Sequence, residues 1–194
     1  MNDGIVKLKN VRLSFPQLFE AKAMEDGAKP RFSAAFLIDP QTPEGRTAIK
    51  AVKQQMNIVA EDKWGKGKVP KSVKFCLNDG NTKDYDGYED RMYLSAGNSA
   101  DRPPTVGKWD KSLKLVVSAT PEEVYAGCHV HAVVTFWAQD NQYGKRVNAN
   151  LQAVIFYKDG EPFGAGRVDA NKLVDEDDFD FTDGEEEEEA DFMG

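Results

Sequence analysis

Apolar and polar residues alternate along the first part of the chain, a pattern typical of half-buried β-strands. The alternation covers residues 5–15 (IVKLKNVRLSF) and 31–38 (RFSAAFLI). Between them the chain contains Pro16, Gly27 and Pro30, which favour a loop. Shorter stretches that also predict strands follow at 73–77, 91–97 and 113–119.

The two longest alternating stretches predict a β-hairpin. They are CHVHAVVTFWAQ (128–139) and RVNANLQAVIFYK (146–158), and Gly144 between them can supply the positive φ of a hairpin turn. Trp137 is assigned to the core of the first stretch. The whole pattern gives six or seven strands, which favours a small barrel or a sandwich.

One segment, residues 42–64 (TPEGRTAIKAVKQQMNIVAEDKW), has a helical period instead. Thr42 can cap the N-terminus of this helix, and Pro43 suits its first position. Apolar residues recur every three or four positions, so one face of the helix should pack on the core. These residues are Ile49, Val52, Met56 and Val59.

Charge is divided unevenly along the chain. Residues 174–194 hold twelve acids and no Lys or Arg, whereas residues 1–173 hold 21 acids and 25 bases. The net charge of −8 therefore combines a body of +4 with a strongly acidic end. This composition predicts a folded domain at 1–173 and a disordered tail at 174–194. The asymmetry indicates nucleic acid or a basic protein as the partner.

The acidic tail also contains apolar residues, at Phe179, Phe181, Phe192 and Met193. A tail that only improves solubility needs no aromatic rings, although that alternative stays open. A polyanion with aromatic rings imitates single-stranded DNA, and its tether gives it a high effective concentration at a basic groove. We therefore expect the tail to compete with DNA and, once displaced, to recruit another protein.

Catalytic and metal-binding motifs are absent from the sequence. His129 and His131 do not complete a zinc-binding set with Cys128, and both Cys76 and Cys128 are expected to be free buried thiols. We expect no catalytic residue, no metal and no cofactor. A metal-dependent nuclease is a further alternative, and it would use the acidic loop residues Asp79, Asp84, Asp86, Glu89 and Asp90.

Aromatic residues stand next to cations in segments that are interpreted as loops or strand ends. Rings stack on unpaired bases and cations neutralise phosphates, so such pairs are typical of proteins that bind single-stranded nucleic acid. For each pair taken alone, a core ring beside a solvated charge is the alternative. The candidate residues are Trp64, Lys66, Lys68, Tyr88, Arg91, Tyr93, Lys108, Trp109, Lys111, Tyr143, Lys145 and Arg146.

Three parts of the chain resemble a known family: VRLSFPQLFEAK (11–22), the segment EEVYAGCHVHAVVTFWAQDNQYGKRVNANLQAVIFYKDGEPFG (122–164), and the acidic tail. They are similar to the OB-fold single-stranded-DNA-binding proteins of tailed phages, whose tails resemble those of bacterial SSB proteins. The resemblance implies a mainly β fold, an OB-fold-like five-stranded barrel with one inserted helix, extra hairpin elements and a disordered acidic tail. It also implies a role in replication without catalysis. Bacterial tails end in an aromatic residue, whereas Met193 and Gly194 follow Phe192 here.

These observations predict a protein that coats and protects single-stranded DNA, largely without sequence preference, in phage replication, recombination or repair. The expected partners are single-stranded DNA and the replication or recombination proteins that read the tail. Duplex DNA and a homodimer are further partners that the sequence allows. The alternative function is a protein-interaction or assembly factor that mimics DNA without binding it.

The sequence predicts no contact with a membrane. No apolar stretch approaches the roughly 18 to 20 residues of a membrane span, and the start MNDGIVKLKN lacks the apolar centre of a signal peptide. The cytoplasm of the bacterial host is therefore the expected location.

Overall fold

The computed structural model of the protein describes residues 4–164, which form mainly β-strands. The elements in chain order are β1 (Val6–Lys22), β2 (Arg31–Ile38), α1 (Pro43–Trp64), β3 (Lys74–Phe75), β4 (Leu77–Asp79), a 3-10 turn (Gly80–Thr82), β5 (Met92–Ser99), β6 (Thr105–Asp110), β7 (Leu115–Ser118), β8 (His129–Asn141) and β9 (Gly144–Lys158).

Five of the strands close into a barrel. β1 pairs antiparallel with β2 on one side and with β8 on the other, β2 pairs with β5, and β8 pairs with β9. A parallel contact between Ala96 of β5 and Ala149 of β9 joins the two ends of this sheet. The ring β1-β2-β5-β9-β8 has the connectivity of an OB-fold. The predicted mainly β barrel with one inserted helix is therefore confirmed.

A buried side chain bridges the seam between β5 and β9. Asn98 donates from Nδ2 to the carbonyl oxygens of Leu151 (2.6 Å) and Arg102 (2.9 Å), and its Oδ1 accepts from the Leu151 N–H at 3.0 Å. The Asn98 amide thus takes the place of a backbone partner two residues beyond the Ala96–Ala149 pair. The barrel closes by side-chain as well as main-chain hydrogen bonds.

The core fills the barrel and continues under α1. Fully buried side chains from the barrel strands, each contributing about 1.5 to 3 kcal/mol by burial, pack against Val52 and Met56 of the helix. Thr42 Oγ1 accepts from the Gly45 N–H at 3.0 Å, so the predicted cap of α1 is confirmed. The largest buried side chains include Leu8, Leu13, Phe36, Ile38, Leu94 and Leu151.

Two predicted loops contain strand residues. β1 continues past Pro16 to Lys22. Its register with β2 shifts between Ser14 and Gln17, which indicates a β-bulge at Pro16. Because residues of a bulge need not pair with the neighbouring strand, the missing N–H of proline is tolerated there. Trp109, expected in a loop, lies on β6, which forms a hairpin with β7. With the short strands β3 and β4, residues 4–164 contain nine strands rather than six or seven.

Cys76 and Cys128 are free thiols that lie in the core, as predicted. Burial raises the pKa of Cys76 to about 12. Its Sγ lies 3.7 Å from Met56 Sδ, a contact between the bend that separates β3 from β4 and the helix α1. No helix within residues 4–164 combines the length and the apolar composition that a membrane span requires.

His129 makes the stability of the fold depend on pH. Its Nδ1 is buried and has no hydrogen-bond partner among the described residues. Burial, followed by the positive charges of Lys158 and Arg12, lowers the pKa of His129 below its ordinary 6.5. The folded state therefore resists protonation more than the unfolded chain does.

We expect the contribution of His129 to the free energy of unfolding to be constant above about pH 6.5 and to fall as the pH drops from there to the lowered pKa of the folded state, because only the unfolded chain is protonated in that range. Thermal unfolding followed at several values between about pH 7.5 and about pH 5 measures this slope, in a range above the ordinary pKa of carboxylates. The substitution His129→Gln should reduce the slope, and His131, whose pKa is also lowered by burial and by Lys9, should account for what remains. If the slope is unchanged in this variant, His129 is not its source.

Candidate nucleic-acid interface

A groove crosses the outer face of β2 and β5, the second and third strands of the barrel. Its floor consists of small residues that alternate with core positions: Ser33 and Ala35 on β2 lie opposite Gly97 and Ser95 on β5. Two cavities of about 510 and 600 Å³ meet over Ser33, Ser95 and Ala96, which line both of them. The two cavities therefore form one continuous groove.

Four aromatic rings pack together at one end of the groove. The Phe15 and Tyr85 ring centroids are 5.0 Å apart with an edge-to-face geometry, and Tyr85 and Tyr88 are 5.3 Å apart in the same manner. Tyr93 lies 5.3 Å from Tyr88. Phe15 is 57% and Tyr85 50% exposed, so both rings offer free surface to a ligand.

Tyr88 supports this cluster from beneath. It is only 2% exposed, and its hydroxyl donates to Ser14 Oγ at 3.0 Å. Burial raises the pKa of the Tyr88 phenol above its ordinary value. The ring therefore positions its neighbours Tyr85 and Tyr93 rather than presenting an open face.

Phe15 has a left-handed backbone conformation, with φ of +46°. Bulky residues rarely adopt positive φ, and such strained residues cluster at functional sites. Phe15 lies at the bulge of β1, next to Pro16, where the register with β2 shifts. The bulge turns the Phe15 ring outward, over the groove and against Tyr85.

The β8–β9 hairpin forms the other end of the groove. Trp137 on β8 is 38% exposed, and Tyr143 in the hairpin turn is 75% exposed. Gly144 follows with φ of +114°, which only glycine adopts readily, so the tight turn predicted here is confirmed. Arg146 and Asn148 on β9 face the same cavity from beside Gln139 and Trp137.

The charges that line the groove have one sign. The cations are Arg31, Lys83 and Arg146, and no Asp or Glu is among the residues that line the two cavities. Neither Arg31 nor Arg146 has an ion pair with another described residue. The groove thus combines exposed rings at both ends with cations that have no ion pair within residues 4–164.

The groove brings together four of the residues that the sequence singled out, namely Tyr88, Tyr93, Tyr143 and Arg146. Four others lie outside the groove and form hydrogen bonds or ion pairs with acidic side chains. Trp64 donates from Nε1 to Asp140 Oδ2 (3.1 Å), and the same carboxylate pairs with Lys145 (3.1 Å). Arg91 pairs with Asp39 at 3.4 Å, and Lys108 pairs with Glu123.

The remaining candidates also lie outside the groove. Lys66 and Lys68 are exposed in the loop after α1, and Trp109 and Lys111 belong to the β6–β7 hairpin. Sequence reasoning overlooked Phe15, Tyr85, Arg31 and Lys83, and it placed Trp137 in the core. For Trp137 a signal was present: the odd-numbered positions of β8 point outward, whereas Val130, Ala132 and Val134 are buried.

The acidic loop gives the nuclease alternative no metal site. Within residues 4–164 no three His, Cys, Asp or Glu side chains come together in a way that could hold a metal ion. Asp79 instead accepts from the Asn81 N–H at 2.9 Å, at the start of the 3-10 turn. Arg91, which follows Asp90 of this loop, forms an ion pair with Asp39, which lies outside the loop at the end of β2.

A five-stranded barrel whose ligand groove crosses its second and third strands defines the class of OB-fold binding proteins. Comparison with known proteins then gives the family. Residues 5–193 match the family described as "Enterobacter phage Enc34, ssDNA-binding protein", and the chain belongs to it.

Relatives and solved structures agree with this assignment. Protein p50 of Acyrthosiphon pisum secondary endosymbiont phage 1 is 38% identical over 172 residues, which cover 84% of this chain and 88% of p50. The single-stranded DNA-binding protein of bacteriophage Enc34, solved in complex with ssDNA, superposes with a TM-score of 0.71 at 32% identity, covering 83% of this chain and 90% of the other. The chain is thus homologous to phage ssDNA-binding proteins.

A more distant structure shows the fold alone. The gp2.5 single-stranded DNA-binding protein of bacteriophage T7 is 13% identical, with a TM-score of 0.55 over 91% of this chain and 97% of its own. The barrel is therefore retained where little of the sequence is.

The strain at Phe15 predicts an unusual order of stability. Phe15→Gly and Phe15→Ala both remove the ring, but only glycine relieves the positive φ. We expect the glycine variant to have a free energy of unfolding about 1 kcal/mol higher than the alanine variant, the reverse of the usual order. Urea unfolding of the two variants measures the difference. Equal stabilities, or a more stable alanine variant, would show that position 15 is not strained.

Proposed function

We propose that the protein binds single-stranded DNA in the groove across β2 and β5, largely without regard to sequence. The observation that carries this proposal is the composition of the groove: six aromatic rings, three cations and no carboxylate line its two cavities. Stacked rings accept any base, and cations accept the phosphates that every nucleotide carries. The surface thus meets both requirements of a single strand without a hydrogen-bonding code for particular bases.

The residues of the groove take different roles in this proposal. Phe15, Tyr85, Tyr93, Trp137 and Tyr143 are the stacking rings, since each has exposed or half-exposed surface. Tyr88 holds the first cluster in place through Ser14. Phosphates are neutralised by the groove cations, which are Arg31, Lys83 and Arg146.

Family membership supports the same reading. The Enc34 protein, whose structure with ssDNA shares the fold, is named for this activity. A phage protein that coats single strands protects intermediates of replication, recombination or repair, and this is the role that we assign to the chain. Cleavage is not part of the proposal.

The acidic tail, residues 174–194, lies outside the described residues. We propose that it competes with DNA for the positively charged groove and that its apolar residues, Phe179, Phe181, Phe192 and Met193, bind replication or recombination proteins. Its support is the division of charge between a body of +4 and a tail that has twelve acids and no base.

Two neighbouring cations of the hairpin test the groove. Arg146 lines it, whereas Lys145 pairs with Asp140 beside Trp64. In a titration of oligo-dT followed by Trp fluorescence, the logarithm of affinity should fall with the logarithm of salt concentration. Arg146→Ala should reduce that slope by about 0.7, the value for one phosphate of a single strand.

Lys145→Ala is the matched control, because it removes the same charge from the adjacent position and should leave the slope nearly unchanged. Equal effects of the two substitutions would remove the groove from the binding site. An absence of binding by the unchanged protein would refute the proposed function itself.

Removal of the tail tests the competition. A chain that ends at Leu173 has a net charge of +4 instead of −8, and its affinity for oligo-dT should rise, most strongly at low salt because screening weakens the tail's effect. An added peptide of residues 174–194 should reduce the affinity of the truncated chain again. Equal or weaker DNA binding after truncation would show that the tail does not compete.

A further inference from the structure

The outer face of the β8–β9 hairpin continues the groove beyond Trp137. Along β8 the outward positions after Trp137 are Thr135, Val133 and His131, and their partners on β9 are Asn150, Ala153 and Ile155. All six are only partly buried. From Trp137 to His131 this face extends for about 20 Å, at about 3.3 Å per residue.

Two exposed rings lie at the far end of this face. Tyr157 on β9 is 50% exposed, and Trp109 on β6 is 56% exposed. β6 runs parallel to β9 and pairs with it as far as Lys108 and Phe156, so Trp109 and Tyr157 are the next residues of two adjacent strands. Both therefore lie at the same end of the sheet, away from the groove.

The surroundings of Tyr157 hold its ring in place. The His131 ring lies 4.5 Å from it, and the backbone N–H of Asn10 donates to His131 Nδ1 at 3.1 Å. Lys158 Nζ approaches the Tyr157 ring to 5.7 Å. Such a ring, supported on one side and close to an ammonium group, resembles the stacking positions of the groove.

Positive charge follows the same face, and its lysines Lys7 and Lys9 also line a cavity with Glu44 of α1, without an ion pair between them among the described residues. Lys7 pairs with Val133 across β1 and β8, so its side chain points outward beside this face, and Lys9 is two residues further along β1. Both lysines are exposed. Residues 5–19, 128–139 and 144–158, which include most of β1, β8 and β9, contain no Asp or Glu.

We propose that single-stranded DNA leaving the groove at Trp137 crosses the outer face of β8 and β9 and stacks on a second platform formed by Tyr157 and Trp109. Lys7, Lys9 and Lys158 neutralise its phosphates there. A single strand suits this platform better than a duplex, because separate rings stack only on bases that are free of their partners. The inference rests on the proposed function and extends its binding site to a second face of the barrel.

Oligonucleotide length separates the platform from the groove. OB-fold domains cover about 4 to 16 nucleotides, so an oligo-dT of about 6 should occupy the groove alone and one of about 16 should reach both surfaces. Tyr157→Ala should leave binding of the short oligonucleotide unchanged. It should weaken binding of the long one by about five- to 150-fold, the loss of one stacked base.

Two controls accompany this measurement. Tyr157→Phe keeps the ring and should restore the affinity for the long oligonucleotide. Lys9→Ala should lower the salt slope for the long oligonucleotide only, by about 0.7, whereas Lys53→Ala, on the exposed side of α1, removes the same charge and should change neither.

Trp109 provides a direct signal. In the unchanged protein the long oligonucleotide should quench more fluorescence than the short one, and Trp109→Phe should abolish that additional quenching. Equal binding of the long oligonucleotide by Tyr157→Ala and the unchanged protein would overturn the platform. So would an equal loss with both lengths, because the substitution would then act through the groove or the fold. If the unchanged protein binds neither oligonucleotide, the proposed function fails together with the platform.

Discussion

The closure of the barrel depends on a short seam between β5 and β9. Main-chain pairing is confined there to Ala96 and Ala149, and the next contact is made by the Asn98 amide with both backbone groups of Leu151. An apolar residue at position 98 would leave that N–H and that carbonyl group buried without partners, at about 1 to 3 kcal/mol each. The closure of the ring, on which the position of the groove depends, therefore relies on the Ala96–Ala149 pair together with one buried asparagine.

The seam also explains why the groove lies where it does. Strands can approach closely at Ala96 and Ala149 because both side chains are small, and the outward residues above them, Ser33, Ser95 and Gly97, are small as well. A Cβ at position 97 would come within 2.9 Å of the Phe32 carbonyl oxygen. Because the residues over the seam are small, the groove has an open floor, and its aromatic rings lie at its two ends. Barrel closure and groove formation thus make the same demand on the sequence.

Local pattern predicted the elements that are fixed by local forces. β2 and α1 have the bounds that alternation, the Thr42 cap and the helical period indicate, because each is determined by residues close in the sequence. The outcome differs where distant pairing decides. Trp109 became a strand residue because β7 and β9 flank β6.

The binding site was less accessible to sequence reasoning for the same reason. A ring in a loop was expected to be exposed, yet Tyr88 is covered by rings from β1 and β5 and anchored to Ser14. Phe15 joins that cluster only because a bulge in β1 reverses its direction. Neither the cover nor the bulge leaves a periodic signal. The alternation along β8 does contain the signal that Trp137 points outward, although it was assigned to the core.

Charge shows why position matters more than the sum. A net charge of −8 alone would disfavour DNA, but at about 0.15 M salt exposed charges act over only about 8 Å. Within that range three of the cations that the sequence had counted towards binding are already balanced, because Asp39, Glu123 and Asp140 each pair with one of them. We propose that the remaining attraction comes from cations that have no ion pair among the described residues. In the proposed binding mode, affinity is therefore decided by the cations next to exposed rings that have no ion pair among the described residues. Those are Arg31, Lys83 and Arg146 in the groove, with Lys7, Lys9 and Lys158 along the β8–β9 face.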